Sequence, residues 1–163
     1  MEGTQKSVSY FIFEVEEDTF SVPVLRVINV LEWMKATPIP ETPRYLEGIV
    51  NVMGELLPVI DSRSKFGMEK TELSGDSCII VLDIYSDRET YKMGLIVDKA
   101  RDVIEVTENE IAKVPDMGLE LNPNYVTGVI NREEEVILLL DIDKIFTQKE
   151  ITEIKKAKEN QKD

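Results

Sequence analysis

Carboxylates are the only plentiful side chains in this sequence that could carry out acid-base chemistry. The chain has 32 Asp and Glu residues, no histidine and a single cysteine, Cys78. Two carboxylates at a suitable distance can serve as general acid and general base in a hydrolysis reaction. A carboxylate-based hydrolase therefore stays open as an alternative, although no pattern in the sequence marks which acids would pair.

The residue types that are missing exclude several other kinds of site. Without histidine the chain has no Ser-His-Asp arrangement, no histidine-bearing zinc site and no phosphohistidine. One cysteine cannot form a thiolate metal site, and neither a P-loop motif nor GxGxxG is present to bind phosphate. Cys78 opens an apolar run, residues 78–82, which is typical of a buried core thiol. We therefore predict no metal site, and carboxylates remain the one kind of side chain for catalysis, with no residue assigned as catalytic.

Charge and hydropathy narrow the choice of partner and compartment. The formal net charge of -13 disfavours nucleic acid and anionic membrane surfaces, since both attract clustered Lys and Arg. The acidic clusters at 14–18 and 133–135 are expected to be solvated turns. No apolar run approaches the roughly 20 residues of a spanning helix, and the N-terminus is polar. We expect a soluble cytoplasmic protein without direct membrane insertion.

The elements that must position any functional residue are mainly strands. Period-2 alternation and short apolar runs predict a hairpin from residues 10–13 and 19–23, followed by a strand at 27–33. Pro38, Pro40 and Pro43 mark a connector, with a single helical turn expected at 43–47. Strands at 49–53 and 56–60 follow, joined at Gly54-Glu55.

An internal repeat is the most informative feature of the sequence. Residues 43–66 align without a gap to residues 123–146, and the two segments share several identical residues and an apolar pattern. The identical residues are Pro43, Tyr45, Gly48, Asn51, Glu55, Asp61 and Phe66, which recur as Pro123, Tyr125, Gly128, Asn131, Glu135, Asp141 and Phe146. A looser likeness joins 19–22 to 90–93 and 27–30 to 103–106.

The repeat predicts two similar β lobes. Each half supplies about five strands, which can hide their edges by curling into a small barrel, and the two barrels can bury a further apolar face between them. We place one lobe at about 10–69, the linker at about 70–76 and the other lobe at about 77–146, within a single domain of residues 1–147.

The shared polar residues of the repeat have a structural interpretation. Gly48 and Gly128 are expected to permit a tight backbone path rather than to bind phosphate. Asn51, Asp61 and Asp141 are expected to close turns or to cap short helices, as is Asn131.

The tail, residues 148–163, predicts a surface helix. Thr147 and Glu150 have the spacing of a capping box, and Ile151, Ile154 and Ala157 follow at helical intervals. This apolar stripe is expected to pack on its own protein, and the helix is expected to fray after Asn160.

The central motif, Gly48 to Asp61 (GIVNVMGELLPVID), resembles the CheW family of chemotaxis coupling proteins. Residues 27–31 and 37–43 are also similar to that family, and in the second half the resemblance continues in 93–98, 102–104 and 125–128. Agreement extends from about Val8 to Phe146, as expected of a stand-alone coupling protein rather than a module within a kinase.

The resemblance implies a fold, a function and partners. It implies two five-stranded SH3-like barrels with no enzymatic activity and no cofactor. It also implies two protein partners, the regulatory domain of a CheA-type histidine kinase and the cytoplasmic hairpin tip of chemoreceptors. A generic β-barrel interaction module in another sensory pathway is the alternative. We expect a monomer.

The resemblance also implies which residues contact these partners. Val27 and Val103 match family positions associated with receptor contact. Met53 and Gly54 match the Arg and Gly of the family's N-L-R-G motif, and Asn29 stands where the family has an acidic residue. Replacing Arg by Met removes a rigid guanidinium and supplies a flexible thioether, so we expect a partner with fewer charges at this position. Cys78 falls where the family often has Val, and it is assigned either to the core or to an interface.

Overall fold

The computed structural model describes residues 6–69, 73–114 and 125–160, in which strands predominate. The strands are β1 (Ser7–Val15), β2 (Asp18–Pro23), β3 (Val27–Glu32), β4 (Leu46–Val52), β5 (Glu55–Asp61), β6 (Cys78–Ser86), β7 (Glu89–Val97), β8 (Lys99–Thr107), β9 (Ile111–Ala112), β10 (Val126–Arg132) and β11 (Glu135–Leu140). The α-helices are α1 (Ser62–Lys65) and α2 (Gln148–Asn160). The predicted fold class, mainly β with two similar lobes and a C-terminal helix, is confirmed.

The strands form two sheets that exchange hairpins between the halves of the chain. One sheet has the order β3-β6-β7-β5-β4 and the other the order β8-β1-β2-β11-β10-β9. We call these the β3 lobe and the β8 lobe. The β6-β7 hairpin of the second half joins the β3 lobe, and the β1-β2 hairpin of the first half joins the β8 lobe. The lobe boundaries drawn from the sequence, 10–69 and 77–146, therefore do not coincide with the two sheets.

Each sheet has a further short stretch of backbone pairing beside its outer long strand, β4 or β10. In the β3 lobe, the Thr37 and Ile49 amides each donate to the other residue's carbonyl, at 2.9 and 3.0 Å. In the β8 lobe, β9 pairs with β10 at the repeat-related position, where Ala112 faces Val129. A Cβ atom on Gly48 would lie 2.2 Å from the Thr37 carbonyl oxygen. The close backbone approach expected at Gly48 is therefore present, and it occurs beside the pairing of Thr37 with Ile49.

Three apolar cores hold the lobes together. One lies inside the β3 lobe and includes Val59 and Ile79, and a second lies inside the β8 lobe and includes Ile12 and Ile130. The largest lies between the two sheets and includes Phe13 of one and Ile80 of the other. The apolar face that we expected between the lobes is this central core.

Helix α2 begins at the predicted capping box and covers part of the central core. The Thr147 amide donates to Glu150 Oε1 at 2.8 Å, and the Glu150 amide donates to Thr147 Oγ1 at 3.1 Å. Ile151, Ile154 and Ala157 are buried in the central core, so the stripe packs on its own protein as predicted. The residues after Asn160, where fraying was expected, lie outside the described ranges.

The polar residues of the repeat close turns and cap helices. Asp61 accepts a hydrogen bond from the Arg63 amide, and Asp141 accepts one from the Asp143 amide, each at 3.1 Å. Asn51 Oδ1 accepts from the Gly54 amide at 2.8 Å. The helical turn expected at 43–47 is wrong, because the Leu46 amide donates to the Pro43 carbonyl in a tight turn and β4 begins at Leu46.

Candidate protein-interaction surfaces

Strands β3 and β8 are the open edges of the two lobes. Among the described strands, β3 pairs only with β6, and β8 pairs only with β1. The other edge of each sheet is covered in part by the short backbone pairings described above. An unpaired edge offers backbone donors and acceptors together with one row of side chains, so it is a natural place for another protein to bind.

Val30 and Val103 occupy equivalent positions on these two edges. Val30 pairs with Ile80 across β3 and β6, and Val103 pairs with Phe11 across β8 and β1. Both ladders shift register between these pairs and the next pairs on the same face, so that Val27 pairs with Leu82 and Ala100 pairs with Phe13. The sequence match of 27–30 with 103–106 is therefore wrong by three residues. Residue likeness favours that match, whereas the structural register follows from the pairing of β3 with β6 and of β8 with β1.

These edge residues lie on the sheet faces that turn toward the central core. Residues directly opposite each other in an antiparallel pair share a face, and both Ile80 and Phe11 pack on the central core. Val27 and Ala100 are half-buried against that core, while Val30 is 40% and Val103 is 52% exposed. We call Val27, Val30, Ala100 and Val103 the edge row.

Further apolar side chains extend the exposed surface along β3. Ile28 is 46% and Trp33 is 40% exposed, and Leu25, just before the strand, is 93% exposed. These three residues and Val30 are missing from the residues inferred from the sequence. A continuous apolar run such as 27–31 resembles a buried strand in the sequence, and only the pairing of the strands shows that it is an edge.

The turn between β4 and β5 presents Met53 to solvent. Met53 and Gly54 have φ angles of 53° and 89°, as in the two-residue turns that suit a twisted hairpin. The Met53 side chain is fully exposed, and Gly54 is exposed beside it. The repeat-related turn of the β8 lobe carries Glu133 and Glu134 at φ 51° and 66°. The two hairpin tips thus share a backbone geometry, but one presents a thioether and the other presents two carboxylates.

Five of the six inferred contact residues fall in three places. Val27 and the exposed Asn29 lie on β3, Met53 and Gly54 follow β4 at the opposite edge of the same sheet, and Val103 lies on β8. Asn29 Oδ1 accepts from the Val30 amide at 2.9 Å.

Cys78 is part of the central core. Its side chain is 9% exposed and lies at the start of β6. Burial raises the pKa of the Cys78 thiol, against a smaller opposite effect of the Ala100 backbone. Of the two interpretations left open by the sequence, the structure supports the core residue.

Two part-buried ion pairs hold the loops that join the lobes. Arg26 Nη1 donates to Asp143 Oδ2 at 3.0 Å, and Asp143 Oδ1 accepts from the Tyr85 amide at 2.8 Å. Burial favours the neutral acid, yet these hydrogen bonds outweigh it and lower the pKa of Asp143. Arg63 Nη2 donates to Asp98 Oδ2 at 2.7 Å. Both pairs are less than one-third exposed, so they restrict the positions of the loops that carry them.

Within 6–69, 73–114 and 125–160, no group of three acidic or cysteine side chains is placed to hold a metal ion. Neither of the described α-helices has the length and apolar character needed to cross a bilayer.

Comparison with known proteins identifies similar chains over most of this length. The family model of the CheW-like domain matches residues 9–150. The chemotaxis protein CheW of Rhizobium meliloti is 30% identical over 138 residues, which cover 85% of this chain and 86% of the relative. The CheW of Bacillus subtilis is 29% identical over 136 residues, covering 83% and 84%.

A solved structure shares the fold. The scaffolding protein TtCheW from Thermoanaerobacter tengcongensis superimposes with a TM-score of 0.77 at 30% sequence identity. The match covers 89% of this chain and 96% of that protein. A more distant relative, the protein FrzA of Myxococcus xanthus, is 25% identical over 139 residues, covering 84% of each chain.

Proposed function

The chain belongs to the CheW-like domain family, and we propose that it is a non-catalytic adaptor joining a CheA-type histidine kinase to chemoreceptor tips. The observation that carries this proposal is the presence of two separate exposed apolar surfaces, the edge row and the Met53-Gly54 turn, on lobes that share one central core. An adaptor needs two binding surfaces held at a constant separation and no catalytic centre of its own. Because both partners act in the cytoplasm, the proposal assigns the chain to that compartment, as a monomer.

We assign the edge row to the chemoreceptor tip. That tip is a helical hairpin, and amphipathic helices bind by placing apolar side chains against an apolar groove. Val30 and Val103 supply exposed apolar contacts on the two sheet faces that turn toward the central core, while Val27 and Ala100 are half-buried against that core. Half-exposed valines on a rigid core contribute to binding without a large loss of side-chain freedom on association.

We assign the Met53-Gly54 turn to the kinase regulatory domain. Met53 makes no contribution to the cores, since its side chain is fully exposed, and the left-handed backbone of this turn disfavours side chains other than Gly, Asn and Asp. A flexible, polarizable thioether adapts to an apolar patch on a partner. The partner patch for Met53 is accordingly expected to be apolar rather than acidic.

The first experiment measures each surface against each partner. Val30→Glu and Val103→Glu are expected to weaken binding of a soluble receptor-tip fragment while leaving kinase binding intact, and Met53→Glu should have the reverse effect. Asn29→Glu and Met53→Arg, tested separately because they lie at opposite edges of the sheet, restore the family's usual charges. Unchanged affinity for both partners in all five variants would contradict the assignment of these surfaces.

The alternative is a carboxylate-based hydrolase, but two of the less exposed carboxylates already have partners in the fold. The buried Asp61 caps α1, and Asp143 is paired with Arg26. Each of these carboxylates therefore has a structural role in the fold. Hydrolysis of an ester or glycoside that is abolished by neutralising either residue, with the fold intact, would support the alternative.

A further inference from the structure

We propose that Met53 is a reversible oxidation site, and that its conversion to the sulfoxide weakens binding of the kinase regulatory domain. The second half of this inference rests on the proposed function, since it concerns the surface assigned there to the kinase. The first half, selective oxidation, depends only on the position of the side chain.

Exposure distinguishes Met53 from the other described methionines. Its side chain is fully exposed, whereas Met93 is 3% exposed within the central core. Met68 is partly buried against the central core, and Met34 is partly buried against the core of the β3 lobe. Because attack by an oxidant requires access to the sulfur, Met53 should react first.

The hairpin geometry makes this residue free to change without unfolding the lobe. The turn is held by backbone pairing of β4 with β5 and by the hydrogen bond from the Gly54 amide to Asn51 Oδ1. Glu133 adopts nearly the same φ angle in the repeat-related turn, so this backbone accepts a polar side chain. A polar sulfoxide at position 53 should therefore leave the fold intact.

The reaction is a two-electron oxygen transfer from a peroxide. The thioether sulfur attacks one oxygen of hydrogen peroxide, the O–O bond breaks and an S–O bond forms. The proton on the transferred oxygen passes to the departing hydroxide, which leaves as water. Sulfur is oxidised and peroxide is reduced, and methionine sulfoxide reductases can reverse the change.

The effect on binding follows from the polarity of the product. A thioether packs in an apolar patch, whereas a sulfoxide brings a strong acceptor that must lose its water on binding. The equivalent turn of the β8 lobe carries Glu133 and Glu134, so a polar tip already distinguishes the two lobes. Oxidation would make the tip of the β3 lobe polar as well.

The test combines peptide mass mapping with binding measurements. The full chain is treated with dilute hydrogen peroxide, and sulfoxide formation at Met53 and Met93 is followed over time. We expect Met53 to react at least about tenfold faster than Met93. Protein that carries the sulfoxide at Met53 but not at Met93 should bind the kinase regulatory domain about five- to tenfold more weakly. Treatment with both methionine sulfoxide reductases should restore the affinity.

Met53→Leu is the matched control, since leucine is apolar and cannot form a sulfoxide. It should bind like the untreated protein, and peroxide should not change its affinity. Equal rates at Met53 and Met93, or equal kinase affinity before and after oxidation, would overturn this inference and leave the proposed function standing. If untreated protein binds neither partner, the proposed function is wrong, and the effect of oxidation on binding is wrong with it.

Discussion

The ring of Tyr45 packs against the ring of Phe146, with 6.0 Å between centroids. The repeat-related pair, Tyr125 and Phe66, lies 5.3 Å apart. In each pair the tyrosine comes from one half of the chain and the phenylalanine from the other. The aromatic residues preserved in the internal repeat therefore lie where the two halves meet, against the central core.

Truncating these phenylalanines should destabilise the whole molecule. Phe146 is 6% exposed, and Phe146→Ala removes a ring from the central core, so we expect a loss of about 3–5 kcal/mol in the free energy of unfolding. Urea denaturation measures this loss. Val136→Ala, at a side chain that is 56% exposed, should change stability by no more than about 0.5 kcal/mol. Similar losses for both variants would show that the central core does not depend on this ring.

The capping box should contribute measurably to helix α2. Thr147→Ala removes the side-chain acceptor of the Glu150 amide, and the expected cost is about 1 kcal/mol. Thr147→Ser keeps the hydroxyl and should retain most of the stability. The measurement is the urea midpoint of each variant, and equal midpoints for the Ala and Ser variants would contradict a capping role.

Acid should weaken the attachment of helix α2. Glu150 is partly buried, which favours its neutral form, but the Thr147 amide and Lys65 outweigh this effect and lower the pKa of Glu150. Lys65 Nζ lies 3.0 Å from Glu150 Oε2. Because the folded-state pKa is below the unfolded one, this stabilisation is present above the ordinary carboxyl pKa and is lost as pH falls through the lowered value.

The pH prediction is checked by urea denaturation across the acidic range. The free energy of unfolding should fall between about pH 5 and pH 3, and Glu150→Gln should fall less steeply because its amide does not titrate. If the unfolding free energy of Glu150→Gln falls as steeply with pH as that of the wild type, the Glu150 carboxylate does not contribute to acid sensitivity.

Much of the fold follows from local patterns in the sequence. The hairpins, the capping box at Thr147 and the close approach at Gly48 each depend on a few neighbouring residues or on the repeat. The exchange of hairpins between the halves cannot be predicted from local patterns. The sequence does not show whether the β1-β2 hairpin pairs with strands of its own half or with β11. This long-range pairing also determines which strands lie at the edges of the sheets. The register of those edge strands makes Val30, rather than Val27, the counterpart of Val103.

The exposed members of the edge row, Val30 and Val103, should be required for receptor binding and not for folding. Val30→Glu and Val103→Glu place charges on half-exposed side chains, so the unfolding free energy should change by less than about 1 kcal/mol. Affinity for a receptor-tip fragment should fall about tenfold or more, as expected for a charge introduced into an apolar contact. Val136→Glu, exposed on β11, is the matched control. Equal loss in the control would indicate a nonspecific effect of charge.

The most direct test of the adaptor function is a three-component sedimentation experiment. The full chain is mixed with a purified CheA-type regulatory domain and a soluble chemoreceptor-tip fragment, and the masses of the complexes are determined. The proposed function predicts a species containing all three proteins, because the two partners bind different surfaces of one rigid body. Two binary complexes that exclude each other, or no complex at all, would contradict it.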